Sequence, residues 1–192
     1  DLTTGISNIF QGYLAGQNAT TANYTVAIGH GVIGLGLLTG TDNIAIGRNA
    51  GYDLTSGTYN VFQGYYVAQN ATIADYTVAI GMQAIGNGVL TGTDNIAIGQ
   101  RAGYDLTSGQ YNFFGGYYAG TNVTTGADNT ILGPNAGEAL TTGSNNLILG
   151  HDAAASAVGV SNEITFGNAS ITAIRAQVTS ITALSDRRDK KD

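Results

Sequence analysis

Residues 1–52 and 53–104 are copies of one another. DLTTGISNIFQGYLAGQNAT stands over DLTSGTYNVFQGYYVAQNAT, and LTGTDNIAIGRNAGY over LTGTDNIAIGQRAGY, with 36 of 52 positions identical. A third copy opens at Asp105 with DLTSGQYNFFGGYYAG and then drifts. Inside this block lies a shorter unit. Gly12, Gly29, Gly47, Gly64, Gly81, Gly99, Gly116, Gly133, Gly150 and Gly167 follow one another at steps of 17 or 18 residues, so the chain is about ten rungs of one motif. A unit this short cannot bury an apolar face by itself, and only stacking on its neighbours supplies a core.

The columns of the motif say how the rungs stack. Four residues before the glycine stands Asn in seven rungs: Asn8, Asn43, Asn60, Asn95, Asn112, Asn129 and Asn146. The next column is apolar, as in Ile44, Val61 and Ile96. The one after holds Ala or Phe, as in Ala45, Phe62, Ala97 and Phe114. A short β-branched run bounded by Asn and Gly reads as a strand and a turn. NIAIG has room for one strand of four or five residues, and the LTSG stretches read as turns with room for a second short strand. No segment sustains a 3.6-residue period, so almost no helix is expected.

The expected fold is therefore all-β, a parallel repeat solenoid whose strands pair with their own copies above and below. Like side chains then meet in register. The asparagines can form an amide ladder, and Gly47, Gly64, Gly99, Gly116, Gly133 and Gly150 supply positive φ where the chain turns back. Low charge fits the same picture, because a charge in a stacked column sits about 4.8 Å from its own copy. The two faces of each strand are expected to divide with the Ile column (Ile44, Ile46) filling the roll and the Ala and Phe column facing outward, against another surface. Such a face points to lateral association into a symmetric oligomer.

Composition excludes several functions. Charged residues are 10% of the chain, the net charge is −6, and there are no cysteines. An acidic chain lacks the basic face that nucleic acid requires, and without cysteine there are no disulfides or thiolate metal sites. The longest apolar runs fall far short of a membrane span. Two His, two Glu and two Lys leave little for acid–base chemistry. No enzyme activity, cofactor or metal is expected.

NIAIGRNAGYDLTSG and ADNTILGPNAGEALTTGSNNLILG resemble the head repeats of trimeric autotransporter adhesins and of phage tail fibres. The resemblance covers residues 1–167 and implies a homotrimer of left-handed parallel β-rolls around a threefold axis. Beyond Gly167 glycine vanishes, and residues 175–192 hold five of the seven cations. Residues 168–184 read as a neck. Their apolar spacing fits a narrow helix stripe, but their Thr, Val and Ile content favours β structure of the triple β-helix kind. NEITFGNASITAIRAQVTSITALSDRRDKKD resembles the junction into the self-cleaving intramolecular chaperone that ends phage tail spikes and fibres, as in endosialidases. By that resemblance residues 185–192 begin the chaperone, and the bond between Ser185 and Asp186 is the one cut.

Several residues invite a functional reading beside a plainer one. Tyr65, Tyr66, Tyr117 and Tyr118 recur 52 residues apart, with Tyr13 in register. They could stack on sugars or pack at the rim between rungs or chains. Tyr24 with Tyr76, and Tyr52 with Tyr104, are further matched pairs. His30 and His151 follow a column glycine and could ligate a metal on a threefold axis, but read as solvated turn residues. Asp42 with Asn43 and Asp94 with Asn95 could form ion rings, although turn capping explains them. Asn18, Asn23, Asn70, Asn122 and Asn168 match the glycosylation pattern, as an Asn- and Thr-rich repeat must. Ser185 with Lys190 or Lys191 lacks anything to hold a base in place.

The function expected from all this is mechanical and adhesive. The chain reads as a shaft or receptor-presenting segment of a homotrimeric phage tail fibre on the virion, beside adjacent fibre or tail proteins and a host polysaccharide or protein receptor. The head of a bacterial surface adhesin is the alternative. A polysaccharide depolymerase needs paired carboxylates, and Glu138 and Glu163 are lone and 25 residues apart.

Overall fold

The structure, a computed structural model, describes residues 4–175. Ten three-residue strands follow in order: β1 (Ile9–Gln11), β2 (Val26–Ile28), β3 (Ile44–Ile46), β4 (Val61–Gln63), β5 (Val78–Ile80), β6 (Ile96–Ile98), β7 (Phe113–Gly115), β8 (Thr130–Leu132), β9 (Leu147–Leu149) and β10 (Ile164–Phe166). They form one parallel sheet in sequence order, a β-solenoid of about nine turns. The register is the column alignment read from the sequence: Ala45 pairs with Phe62, and Ala97 with Phe114. The described residues hold no helix.

The LTSG stretches do not form a second strand, yet they are tied from rung to rung. The Thr55 amide and hydroxyl both donate to the Thr72 carbonyl, at 2.9 and 2.8 Å. Thr107 repeats this on Thr124, and Thr124 on Thr141. Bonds between rungs thus circle the solenoid, and the backbone is satisfied without long strands.

The column glycines are required twice over. Gly116 has φ +129°, and a Cβ placed on it would stand 2.8 Å from the Gly133 carbonyl oxygen. The same clash is closer still at Gly47, Gly64 and Gly99. The residue before the ladder position is left-handed in every rung, even where it is Tyr: Tyr59 has φ 57° and Tyr111 56°. Each costs about 1–2 kcal/mol, and the surrounding ladders hold them there.

The buried asparagines stack into two hydrogen-bonded runs, Asn43–Asn60 and Asn95–Asn146. The Asn112 amide nitrogen donates to Asn95 Oδ1 at 3.1 Å and to the Gly126 carbonyl at 2.9 Å, while Asn112 Oδ1 accepts from the amide and backbone nitrogens of Asn129. Asn146 continues the run on Asn129, and Asn60 stands on Asn43 in the same way. Thr77 interrupts it: the Thr77 backbone caps Asn60 Oδ1, and its short side chain cannot reach on. These buried asparagines are fully paired, which is the condition for a stabilising polar core.

The two strand faces are reversed from the expectation. Ala27, Ala45, Phe62, Ala79, Ala97, Phe114, Ile131 and Ile148, the middle residues of their strands, are fully buried. The flanking Ile44, Ile96, Phe113 and Ile164 are exposed. Through the first seven rungs the strand centres alternate one Phe with two Ala. Phe62 and Phe114 take the room left by glycine: a Cβ on Gly51 would stand 2.9 Å from the Phe62 ring, and one on Gly103 or Gly120 would stand 2.6 Å from Phe114. In the Ala27 and Ala79 rungs the turn carries Ile33 or Ile85 inward instead, while the Ala45 and Ala97 rungs carry Gly51 and Gly103, against which the Phe of the next rung packs. This exchange of volume explains the 52-residue block, which holds one Phe and two Ala at the strand centres.

At the C-terminal end Ile171 lies over Gly167, and its amide donates to the Asn168 carbonyl. Residues 168–175 carry no strand. The remainder of the expected neck, Ser185 and Asp186, and the lysines at 190 and 191 lie outside the described residues.

Candidate interaction surface

The outward positions of ten stacked strands make one continuous apolar face. Its first column runs Ile9, Val26, Ile44, Val61, Val78, Ile96, Phe113, Thr130, Leu147, Ile164, and its second holds Ile28, Ile46, Ile80, Ile98, Leu132, Leu149 and Phe166, interrupted by Gln11, Gln63 and Gly115. At 4.8 Å per strand it is about 43 Å tall. Ile96 is 39% exposed and Ile164 65%. Among soluble proteins, large contiguous exposed apolar patches are where interaction sites tend to be found. Among the described residues no helix is long and apolar enough to cross a membrane.

Two edges flank this face. On the edge before the strands, just ahead of the ladder position, stand Tyr24, Asp42, Tyr59, Tyr76, Asp94, Tyr111 and Asp128. An open groove of about 370 Å³ sets Asp128, Asn145 and Asn162 directly beside Thr130, Leu147 and Ile164, so this edge adjoins the apolar face. The Tyr59 and Tyr76 rings stack, 5.1 Å apart and 11° from parallel. The 52-residue repeat aligns Tyr24 with Tyr76. The 17-residue step is what makes Tyr59 and Tyr76 neighbours.

The other edge follows the column glycine. Tyr65 and Tyr66 meet at 4.3 Å between ring centres, and Tyr117 and Tyr118 at 4.4 Å. Arg48 lies 5.7 Å from the Tyr65 ring. Arg101 donates from Nη1 to Tyr118 Oη at 2.7 Å and from Nε to Gln83 Oε1 at 2.9 Å, with its guanidinium 4.9 Å from the Tyr104 ring. The four tyrosines singled out in the sequence are thus brought together with the two arginines of the repeats on one exposed edge.

The remaining candidates have local roles. Asp42 and Asp94 sit at φ 59° and 58°, each accepting from the preceding threonine hydroxyl. His30 packs on Tyr13, and His151 Nδ1 lies 3.1 Å from Asp152 Oδ2. Among the described residues no group of three or more His, Asp or Glu could hold a metal ion. Asn18, Asn70 and Asn122 clip one rung to the next through carbonyls of Leu35, Asn87 and Glu138. Glu163 accepts from the Ser156 amide and the Thr165 hydroxyl, and the Ser156 bonds lower its pKa. Glu138 and Asp152 line one open groove of about 410 Å³, a neighbourhood the sequence spacing did not show. Asp152 Oδ1 accepts there from the Asn135 amide, and Asp152 Oδ2 lies 3.1 Å from His151 Nδ1.

Comparison with family models, with curated proteins and with solved structures gives no match.

One carboxylate is left over. Asp53 Oδ1 is buried without a hydrogen-bond partner, and burial raises the Asp53 pKa. Its counterpart Asp105 accepts from Asn87 Nδ2 at 2.7 Å. Below Asp53 that place belongs to Leu35, which has nothing to donate.

Proposed function

We propose that this chain is a structural and adhesive segment of a homotrimeric phage tail fibre, carrying or presenting the part that attaches to the host. The reading rests on one observation above the others: a ten-strand apolar face left uncovered on a solenoid whose interior is already complete. A rigid rod with one sticky side is a component for lateral assembly. Its strong axial hydrogen bonding suits a mechanical role. The likeness of the repeats to adhesin heads and tail fibres supplies the choice of three copies.

Sedimentation of the full chain, alone and fused at its C-terminus to a trimerising coiled coil, tests the proposal. The fused chain is expected to be a soluble three-chain species with a β-type circular dichroism spectrum. The unfused chain is expected to associate or aggregate. A soluble, folded monomer without the fusion contradicts the proposal.

A further inference from the structure

In four of the ten rungs the two edges of the apolar face carry matching side chains. In the third rung Asp42 stands on the leading edge and Arg48 on the trailing edge; in the sixth, Asp94 and Arg101. In the fourth rung Tyr59 is matched by Tyr65 and Tyr66, and in the seventh Tyr111 by Tyr117 and Tyr118. In these four rungs acid stands level with arginine and aromatic with aromatic, whereas Tyr76 stands level with Met82 and Asp128 with Pro134.

These partners cannot meet within one chain. Asp42 and Arg48 are six residues apart across a strand, about 20 Å when extended. The only ion pair among the described residues is His151 with Asp152. Arg48 and Arg101 have aromatic, amide or phenol neighbours but no carboxylate. The charge complementarity is therefore unused inside the chain, and it borders the uncovered face on both sides.

We infer that neighbouring copies of this chain meet edge to edge, parallel and without axial stagger, the leading edge of one against the trailing edge of the next. This rests on the homo-oligomer proposed above and adds its register. A rotation axis running along the solenoid brings opposite edges together at equal height, so that Asp42 of one copy faces Arg48 of the next and Asp94 faces Arg101. An axis across the solenoid turns the second copy upside down and loses the match. Three faces about 20 Å wide, joined at such edges, enclose a prism with walls about 6 Å from its axis, room that the outward Ile, Val and Leu side chains fill. Apolar burial then supplies the affinity, and the edge pairs set register and partner direction.

The chain has no cysteine, so introduced pairs are unambiguous. The full chain carrying Asp42→Cys with Arg48→Cys is compared with Asp42→Cys with Arg101→Cys, which is offset by three rungs. Both are treated with a short bis-maleimide, resolved on denaturing gels and sedimented untreated. The level pair is expected to give closed three-chain product, about tenfold more than the offset pair, because groups this far out of register lie beyond a short bridge. Equal linking of the two pairs, or no linking in a sample that sediments as an oligomer, overturns the inference and leaves the oligomer standing. A dimer that links through the level pair keeps the edge register and overturns the number three. A folded monomer overturns both. Should the double variants fold poorly, Arg48→Glu with Arg101→Glu serves instead. It is expected to weaken association about a hundredfold, with recovery when Asp42→Arg and Asp94→Arg are added. Unchanged association in that variant also overturns the inference.

Discussion

Phe113 and Phe114 are adjacent in sequence, share strand β7 and differ in almost everything else. Phe114 is fully buried, its ring fitted against Gly103 and Gly120. Phe113 is 38% exposed and belongs to the outer column between Ile96 and Thr130. One side of the strand is finished by the chain itself: volumes compensate between rungs, the asparagines are paired, and the glycines admit the next carbonyl. The other side is not. The difference teaches that folding of the rung and covering of its outer face are separate problems, solved by different columns.

The largest expected effect breaks the inner side. Phe114→Ala should destabilise the fold by about 3–5 kcal/mol, the cost of a large core cavity, read by thermal melting and independent of protein concentration. Phe113→Ser should leave the rung intact. Its loss of stability should instead vary with concentration, because it acts through association. If both variants lose the same stability at every concentration, the two faces do not differ as described.

Next comes the ladder. Asn112→Ala removes two donated bonds and strands the groups that faced it, so about 2–3 kcal/mol should be lost in denaturant unfolding. Asn145→Ala, at an exposed position where the side chain donates to Asn162 Oδ1, should cost less, about 1 kcal/mol, mostly because Ala is strained at the φ of 57° that Asn145 adopts.

Smaller effects come from the two perturbed carboxyls. Glu163 is held below its usual 4.5 by its hydrogen bonds from Ser156. Its contribution is present above that value and is lost as pH falls through the lowered pKa. Asp53 runs the other way: its pKa is raised above 3.8 by burial, so its folded form binds the proton more tightly. Stability from this group is fullest below 3.8 and is lost as pH rises through the raised value. Melting curves of Glu163→Gln and Asp53→Asn against pH should flatten these opposite slopes. Smallest of all, Leu35→Asn gives Asp53 the donor that Asn87 gives Asp105, and should raise stability by about 0.5 kcal/mol. No gain would mean that the Leu35 position cannot reach Asp53.

Much of this was legible because a repeat exposes its own columns. The glycine spacing marks the turns, and Asn over Asn marks a ladder whose bonds run where the column alignment puts them. The inside and outside of the strand were not legible from alternation, which yields two faces and no direction. The deciding signal was volume. Phe62 and Phe114 pack against turn glycines Gly51, Gly103 and Gly120, and Ala27 and Ala79 share their rungs with Ile33 and Ile85, a compensation that only an enclosed column requires. The Tyr59–Tyr76 stack was hidden because the longer repeat aligns Tyr24 with Tyr76 and draws attention from the neighbouring rung. The unpaired oxygen of Asp53 depends on a single difference between otherwise matching blocks, Leu35 against Asn87.

The central claim is that the outer sheet face is covered by other copies of the chain. Chemical accessibility tests it most directly, with Ile96→Cys on that face and Leu37→Cys in the loop between β2 and β3, both exposed in the single chain. In the assembled, folded protein the thiol at 96 should resist a maleimide while the thiol at 37 reacts freely. Equal, rapid labelling of both in a sample with an intact β spectrum would contradict the account.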